Sequence, residues 1–319
     1  MQQSTFVEVT TTRLNHDVDP TLHVWPWEVP ADLFLAGLVA GLLVLYSSVV
    51  LLGKEKLLPT VRKWAPVWAM PLLGTALFLL FLDLSVKLNA FRFYTTFQVS
   101  SPMSWGSWLY MSVIIVGGIQ CAAALADHQP WRQTAIGKLR LWKWFENLQL
   151  STQRRLAWLG LVFGAGLGTY TGVLLSTMPA RPLWNSGLMG PLFLVSGTAA
   201  AIALMMLVSR SKDERATLLR LLLPAVLVNL LLLLLLVVDL ANGNATNVGA
   251  AEMLLGGSYT AAFWALVVVV GLIVPAVLQV QAVRGRWNLS LVAPALVLFG
   301  GLALRVLLVQ AGQASGFGV

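Results

Sequence analysis

Residues 217–240 read TLLRLLLPAVLVNLLLLLLLVVDL, and from Leu230 to Val238 the run holds nothing but leucine and valine. A helix needs about twenty consecutive, mostly apolar residues to cross a bilayer. A helix that is apolar all round has no face to offer water. Seven further runs of this kind flank it, so the spans expected are 32–52, 66–86, 105–127, 156–178, 188–209, 217–240, 258–282 and 289–311. A soluble core can hide one such run; eight in series predict an all-α polytopic membrane protein.

Composition agrees. Of 319 residues 58% are apolar and 11% charged, and the mean hydropathy is +0.79. Soluble domains carry about 25% charged residues, so a soluble enzyme, a nucleic-acid-binding module and a disordered scaffold are excluded. The net charge of +8 then needs a different explanation. Lys54, Lys56, Arg62, Lys63, Arg132, Lys138, Arg140, Lys143, Arg154, Arg155, Arg210, Lys212, Arg215, Arg284 and Arg286 fall in alternate connections, and Arg220 lies just beyond one of them. These sixteen basic residues meet five acidic ones (net +11), whereas the other set of segments has four basic (Arg13, Lys87, Arg92, Arg181) against eight acidic (net −4), and Arg305 inside the eighth span supplies the last charge. Short loops rich in Lys and Arg stay in the cytoplasm. Both termini are therefore expected outside, and the basic excess reports topology.

The chain divides into an outer arm (1–31), a first four-helix half (32–178) and a second (188–319). The polar arm lacks a basic-then-apolar start, so no cleavable signal peptide is expected, and the arm reads as a surface segment. Cys121, the single cysteine, reads as structural. The histidines are His16, His23 and His128, none well inside a span. A membrane haem needs axial ligands within the bilayer and an iron–sulfur cluster needs about four thiolates; neither is expected here. No phosphate loop, metal-spaced Cys/His set or nucleophile elbow is present.

Ionisable residues inside spans are functional candidates by default. Asp32 opens the first span, Asp83 ends the second with Lys87 a turn beyond, and Asp239 takes the matching place in the sixth. Arg305 lies roughly 9 Å deep and Tyr170 roughly 12 Å deep at 1.5 Å per residue. All belong to the outer half. Asp32 and Lys87 could instead mark the interface, Asp83 and Asp239 could reach headgroup water, and Tyr170 could be packing. A lone Arg at that depth either snorkels or pairs with a carboxylate, for which Asp83 and Asp239 are candidates. Gly160, Gly164, Gly168 and Gly172 form a stripe that admits a close helix, with Gly37 and Gly41 doing the same in the first span. The stripe sets Tyr170 beside a backbone-to-backbone contact where a flat ring could slide in. Asp83-Leu84 and Asp239-Leu240, like Trp108 and Trp264, recur at an offset of 156, and Phe34-Leu35 and Phe193-Leu194 at 159. Such echoes fit two parallel four-span halves.

Four strings carry a resemblance: WPWEVPADLFLAGLVAG (25–41), LDLSVKLNAFRFYTTFQVSSPMSWGSW (82–108), GTYTGVLLSTMPARPLWN (168–185) and FGGLALRVLLVQAG (299–312). Together they resemble the NrfD/polysulfide-reductase family of membrane subunits, the specific parts being SPMSWGSW and the YTG…ARPLWN run. The resemblance implies a haem-free multi-pass subunit in a bacterial or archaeal inner membrane that exchanges electrons with menaquinone or ubiquinone. Its implied partners are an extracytoplasmic four-cluster iron–sulfur subunit and, through it, a molybdenum or tungsten pterin enzyme or a multihaem cytochrome. By the same resemblance Glu28, Asp32 and Tyr170 touch the quinone, a carboxylate standing at a first-span position that varies in the family. Asp83 and the segment from Ser101 to Trp105, including Ser104, line the region. A tyrosine hydroxyl can donate to a carbonyl and a carboxylate at the mouth can pass protons; Asp83, Asp239 and Arg305 are then the expected proton relay or buried ion network. The rival from another class is a secondary transporter built on the repeat, against which stands the lack of Gly/Pro-broken helices at matched positions.

Overall fold

A computed structural model of the protein describes residues 25–84, 87–126, 150–178, 180–285 and 291–315. The arm to Val24, with His16, His23 and Arg13, lies outside the described residues, as do His128, Arg132, Lys138, Arg140, Lys143 and Arg286.

Each apolar run is the centre of one long helix. The spanning helices are α1 (Glu28–Leu51), α2 (Pro59–Asp83), α4 (Pro102–Ala126), α5 (Leu150–Ser176), α6 (Met189–Val208), α7 (Lys212–Ala241), α9 (Thr260–Val283) and α10 (Val292–Ala314). Two short helices, α3 (Arg92–Thr95) and α8 (Ala245–Leu255), lie in connections. Several helices begin a turn or more before their apolar run, because a helix starts at its cap, not where its charges stop. In α7 the Ser211 side chain accepts from the Glu214 N–H, an N-terminal cap that lets Lys212, Asp213 and Arg215 be helical. The connection 241–257 contains α8 because Asn244 caps its start through the Asn247 N–H at 2.9 Å.

The helix α1 is the centre of the bundle. In its most apolar stretch 78% of the residues are buried, against 28% for α7 at the periphery. It packs on α2, α5, α6 and α10. Its crossing with α6 is backbone to backbone: a Cβ on Gly41 would overlap the main chain of Gly197. The glycine stripe of α5 faces α1 through Gly164 and α6 through Gly172, so the close contact is there, but it lies on the side of α5 away from the cavity described below. The seventh span is a π-helix from Phe263 to Ile273, a geometry rarely longer than one turn. Prolines stand inside α2 (Pro66, Pro71) and α7 (Pro224), yet both helices run through them unbroken.

Two clasps close the bundle at its ends. At the face where both ends of the bundle's sequence meet, the Trp25 N–H donates to Gln313 Oε1 (2.9 Å) and Gln313 Nε2 donates to Trp25 O (3.0 Å), while the Trp25 and Trp184 rings stack at 5.3 Å. At the opposite face buried Glu214 accepts from the Thr60 N–H (2.8 Å), the Thr60 hydroxyl and the Ser209 hydroxyl (2.8 Å). One carboxylate there serves the amino ends of both α2 and α7, where helix dipoles favour negative charge.

Candidate functional site

At the terminal face α1, α2, α4 and α5 surround a cavity of about 260 Å³, whose lining also includes Ala90 and, from α3, Tyr94. Leu33, Leu77, Leu80, Phe81 and Leu174 make its apolar wall; Asp32, Asp83, Tyr94, Tyr110 and Tyr170 give it chemistry. Three of the protein's five tyrosines line this one space. The wall includes Phe81 and Met103, which are also exposed on the outside of the bundle. The cavity therefore meets the lipid-facing surface between α2 and α4.

Local sequence explains how each group arrives. Asp32 stands one turn into α1 and is buried. Met103, Gly106, Ser107 and Tyr110 all line the cavity, the i, i+3, i+4, i+7 pattern of one helical face. Gly106 gives Tyr170 its place, since a Cβ there would fall on the end of the Tyr170 ring. Fully buried Tyr110 donates from its hydroxyl to both oxygens of Asp32, at 3.2 and 3.5 Å. Among the described residues no cation pairs with Asp32, the one ion pair being Arg62–Glu55 on the opposite face. One neutral O–H shared between the two oxygens leaves lone pairs on both that can accept a ligand's O–H.

The sequence-derived residues divide. Asp32, Asp83 and Tyr170 share the cavity. Glu28 lies a turn before Asp32 with its Oε2 buried and unpartnered, close enough for its charge to act on Asp83, but it is not part of the wall. Ser104 is not part of it either. Its oxygen accepts from the Gln98 N–H (3.0 Å) and its hydroxyl donates to Thr96 O (3.4 Å), tying down the segment that leads into α4. Trp105 faces outward and its indole N–H donates to Val99 O at 2.8 Å.

The expected network of Asp83, Asp239 and Arg305 is not formed. Asp239, near the end of α7, accepts from the Ser186 hydroxyl at 2.7 Å. Arg305 is wholly buried where α10 meets α1 and α6; its guanidinium donates to Phe193 O (2.9 Å) and lies 3.6 Å over the Phe193 ring. A main-chain carbonyl and a ring quadrupole thus take the place of the carboxylate expected. Sequence reading missed Tyr110 and Tyr94. The period of 103, 106, 107 and 110 could have found the first; nothing in the polar loop singles out the second.

Comparison with known proteins places this geometry in a lineage. Residues 15–315 match the family described as "Polysulphide reductase, NrfD". The C subunit of the polysulfide reductase of Wolinella succinogenes is 29% identical over 308 residues, covering 91% of this sequence and 94% of that one. Protein NrfD of Escherichia coli is 31% identical over 313 residues, covering 91% and 95%. A match over nearly the whole length, on a bundle of eight apolar helices, leaves one conclusion: the chain belongs to the NrfD (polysulphide reductase) family.

Proposed function

We propose that this protein is the quinone-reactive membrane subunit of a respiratory oxidoreductase in a bacterial inner membrane. Electrons pass between menaquinone or ubiquinone in the cavity and an iron–sulfur subunit docked on the terminal face, the extracytoplasmic one by the charge reading. That subunit would connect to a molybdenum or tungsten pterin enzyme or a multihaem cytochrome. One observation carries the reading: a small apolar space, open toward lipid, presents a buried carboxylate and free tyrosine hydroxyls. A quinone ring matches this donor and acceptor set, because it needs apolar walls, donors for its carbonyls and an acceptor for each O–H of the quinol.

Quinone chemistry moves two electrons and two protons. In the direction of quinol oxidation Asp32 accepts a proton from one quinol O–H, while Tyr110 holds the carboxylate in place. Asp83 at the mouth accepts the second quinol proton, both protons then leave to water, and Tyr170 donates to a ring oxygen and fixes the plane of the head. The electrons leave toward the partner. The reverse sequence reduces quinone. Glu28 adds negative charge at the mouth, and Asp239 and Arg305 act outside this path, in the fold of the second half.

The test is purification of the intact complex with its partner subunits. Co-purified iron and quinone turnover that falls at least tenfold in Asp32→Asn, with assembly normal, support the reading. A colourless monomer without quinone binding would sink it.

A further inference from the structure

The hydrogen-bond donors in the cavity can be counted off one by one. The Ser107 hydroxyl donates to Met103 O at 3.1 Å and that of Thr171 to Gly168 O at 2.9 Å, each a carbonyl of its own helix. Tyr110 is committed to Asp32. The hydroxyls of Tyr94 and Tyr170 have no partner among the described residues, and both side chains line the space. To take a proton from a quinol O–H Asp32 has to be ionised, and in that state it only accepts, so its role is toward the quinol and not toward a quinone carbonyl. A quinone has two carbonyls, and two uncommitted neutral donors face it.

We propose that Tyr94, on the short helix α3, donates the hydrogen bond to the second carbonyl of the bound quinone, opposite the one held by Tyr170. This rests on the quinone reading above and adds a residue that neither span analysis nor resemblance pointed to. Burial raises the Tyr94 phenol above its ordinary pKa, so it stays a donor throughout the physiological range. The other wall donors belong to membrane-spanning helices, whereas Tyr94 belongs to the connection between the second and third spans. Its bond to the ring would tie that connection down when the head is seated, making α3 a closing element over the site.

The experiment uses the assembled complex in membranes and two probes whose carbonyls are inequivalent, 2-methyl-1,4-naphthoquinone and decylubiquinone, each labelled with ¹³C at one carbonyl or the other. Dissociation constants and carbonyl stretching bands are measured for the wild type, Tyr94→Phe and Tyr170→Phe. Tyr94→Phe is expected to raise Kd roughly two- to twelvefold, the worth of one neutral hydrogen bond. One carbonyl band should return to its free position while the other stays shifted, and Tyr170→Phe should release the other one. Wild-type affinity and two shifted bands in Tyr94→Phe would overturn the assignment and leave the quinone reading standing. A wild-type complex that binds neither probe would overturn both. The bands report on whatever fraction assembles, so a loss of yield does not obscure the result.

Discussion

Replacing Gly106 with alanine perturbs the site without removing any functional group. The new methyl would occupy the place of the Tyr170 ring end, its Cζ and hydroxyl. Those atoms are the far end of a side chain with two torsions, so the ring can yield where a backbone could not. Overpacking a rigid site costs about 1–3 kcal/mol; here most of that is relieved by turning Tyr170 off its position. Stability should therefore change little, while quinone binding loses the bond that Tyr170 makes. At roughly 0.5–1.5 kcal/mol for a neutral hydrogen bond, KM for quinone rises about two- to twelvefold. The assay is a double-mutant cycle in the purified complex. Gly106→Ala with Tyr170→Phe should be hardly worse than Tyr170→Phe alone, because both changes remove the same interaction. Full additivity, or an unchanged KM in Gly106→Ala, would refute the argument that this glycine exists to seat the tyrosine.

Two other perturbations follow from the hydrogen bonds. Tyr110→Phe takes away the one donor on Asp32 among the described residues; a bond to a charged group is worth roughly 1.5–3 kcal/mol, so turnover should drop about ten- to hundredfold with KM nearly constant, and an equal rise in KM would make Tyr110 a binding residue instead. Glu214→Ala leaves the buried Ser209 hydroxyl and the half-buried Thr60 donors without their acceptor. At roughly 1–3 kcal/mol per orphaned donor the thermal midpoint in detergent should fall by several degrees, while the wild-type KM for quinone is retained in the folded fraction; an unchanged midpoint would remove the clasp.

The spans were legible because lipid leaves the backbone one option: every polar group satisfied within a helix of fixed length. Helix ends were less legible, since Ser211 and Asn244 act through local capping that a hydropathy window does not see. For the site, depth and chemistry pointed to Asp32, Asp83 and Tyr170. They did not reveal Tyr110, which reads as one more aromatic in an apolar helix until its hydroxyl is found on Asp32. In place of the carboxylate expected of Arg305, the Phe193 carbonyl takes one of its N–H groups and the Phe193 ring lies under the guanidinium, while Nε and Nη1 are buried without a partner among the described residues. The glycine stripe of α5 was correctly a close-contact face, but periodicity names the face of a helix and not the neighbour it meets. Tyr170 points away from that stripe, toward α4.

The arrangement of donors and acceptors has a thermodynamic consequence that tests the whole site at once. Tyrosine hydroxyls favour the oxidised ring, whose carbonyls accept; the Asp32 carboxylate favours the reduced ring, whose O–H groups donate. A site that preferred one form strongly would hold it and stop turnover. For a two-electron couple a tenfold difference in affinity between the two forms moves the midpoint potential by about 30 mV. Removing a donor weakens the oxidised form, so Tyr170→Phe should raise the potential of the bound couple, by about 10–30 mV for a two- to tenfold loss. Asp32→Asn weakens the reduced form and should lower it. Spectroelectrochemical titration of quinone in the assembled complex reads both shifts against the wild type. Shifts of the same sign would mean that the two residues do not divide the oxidation states between them, and the assignment of donor to Tyr170 and acceptor to Asp32 would fall, whatever the variants did to the rate.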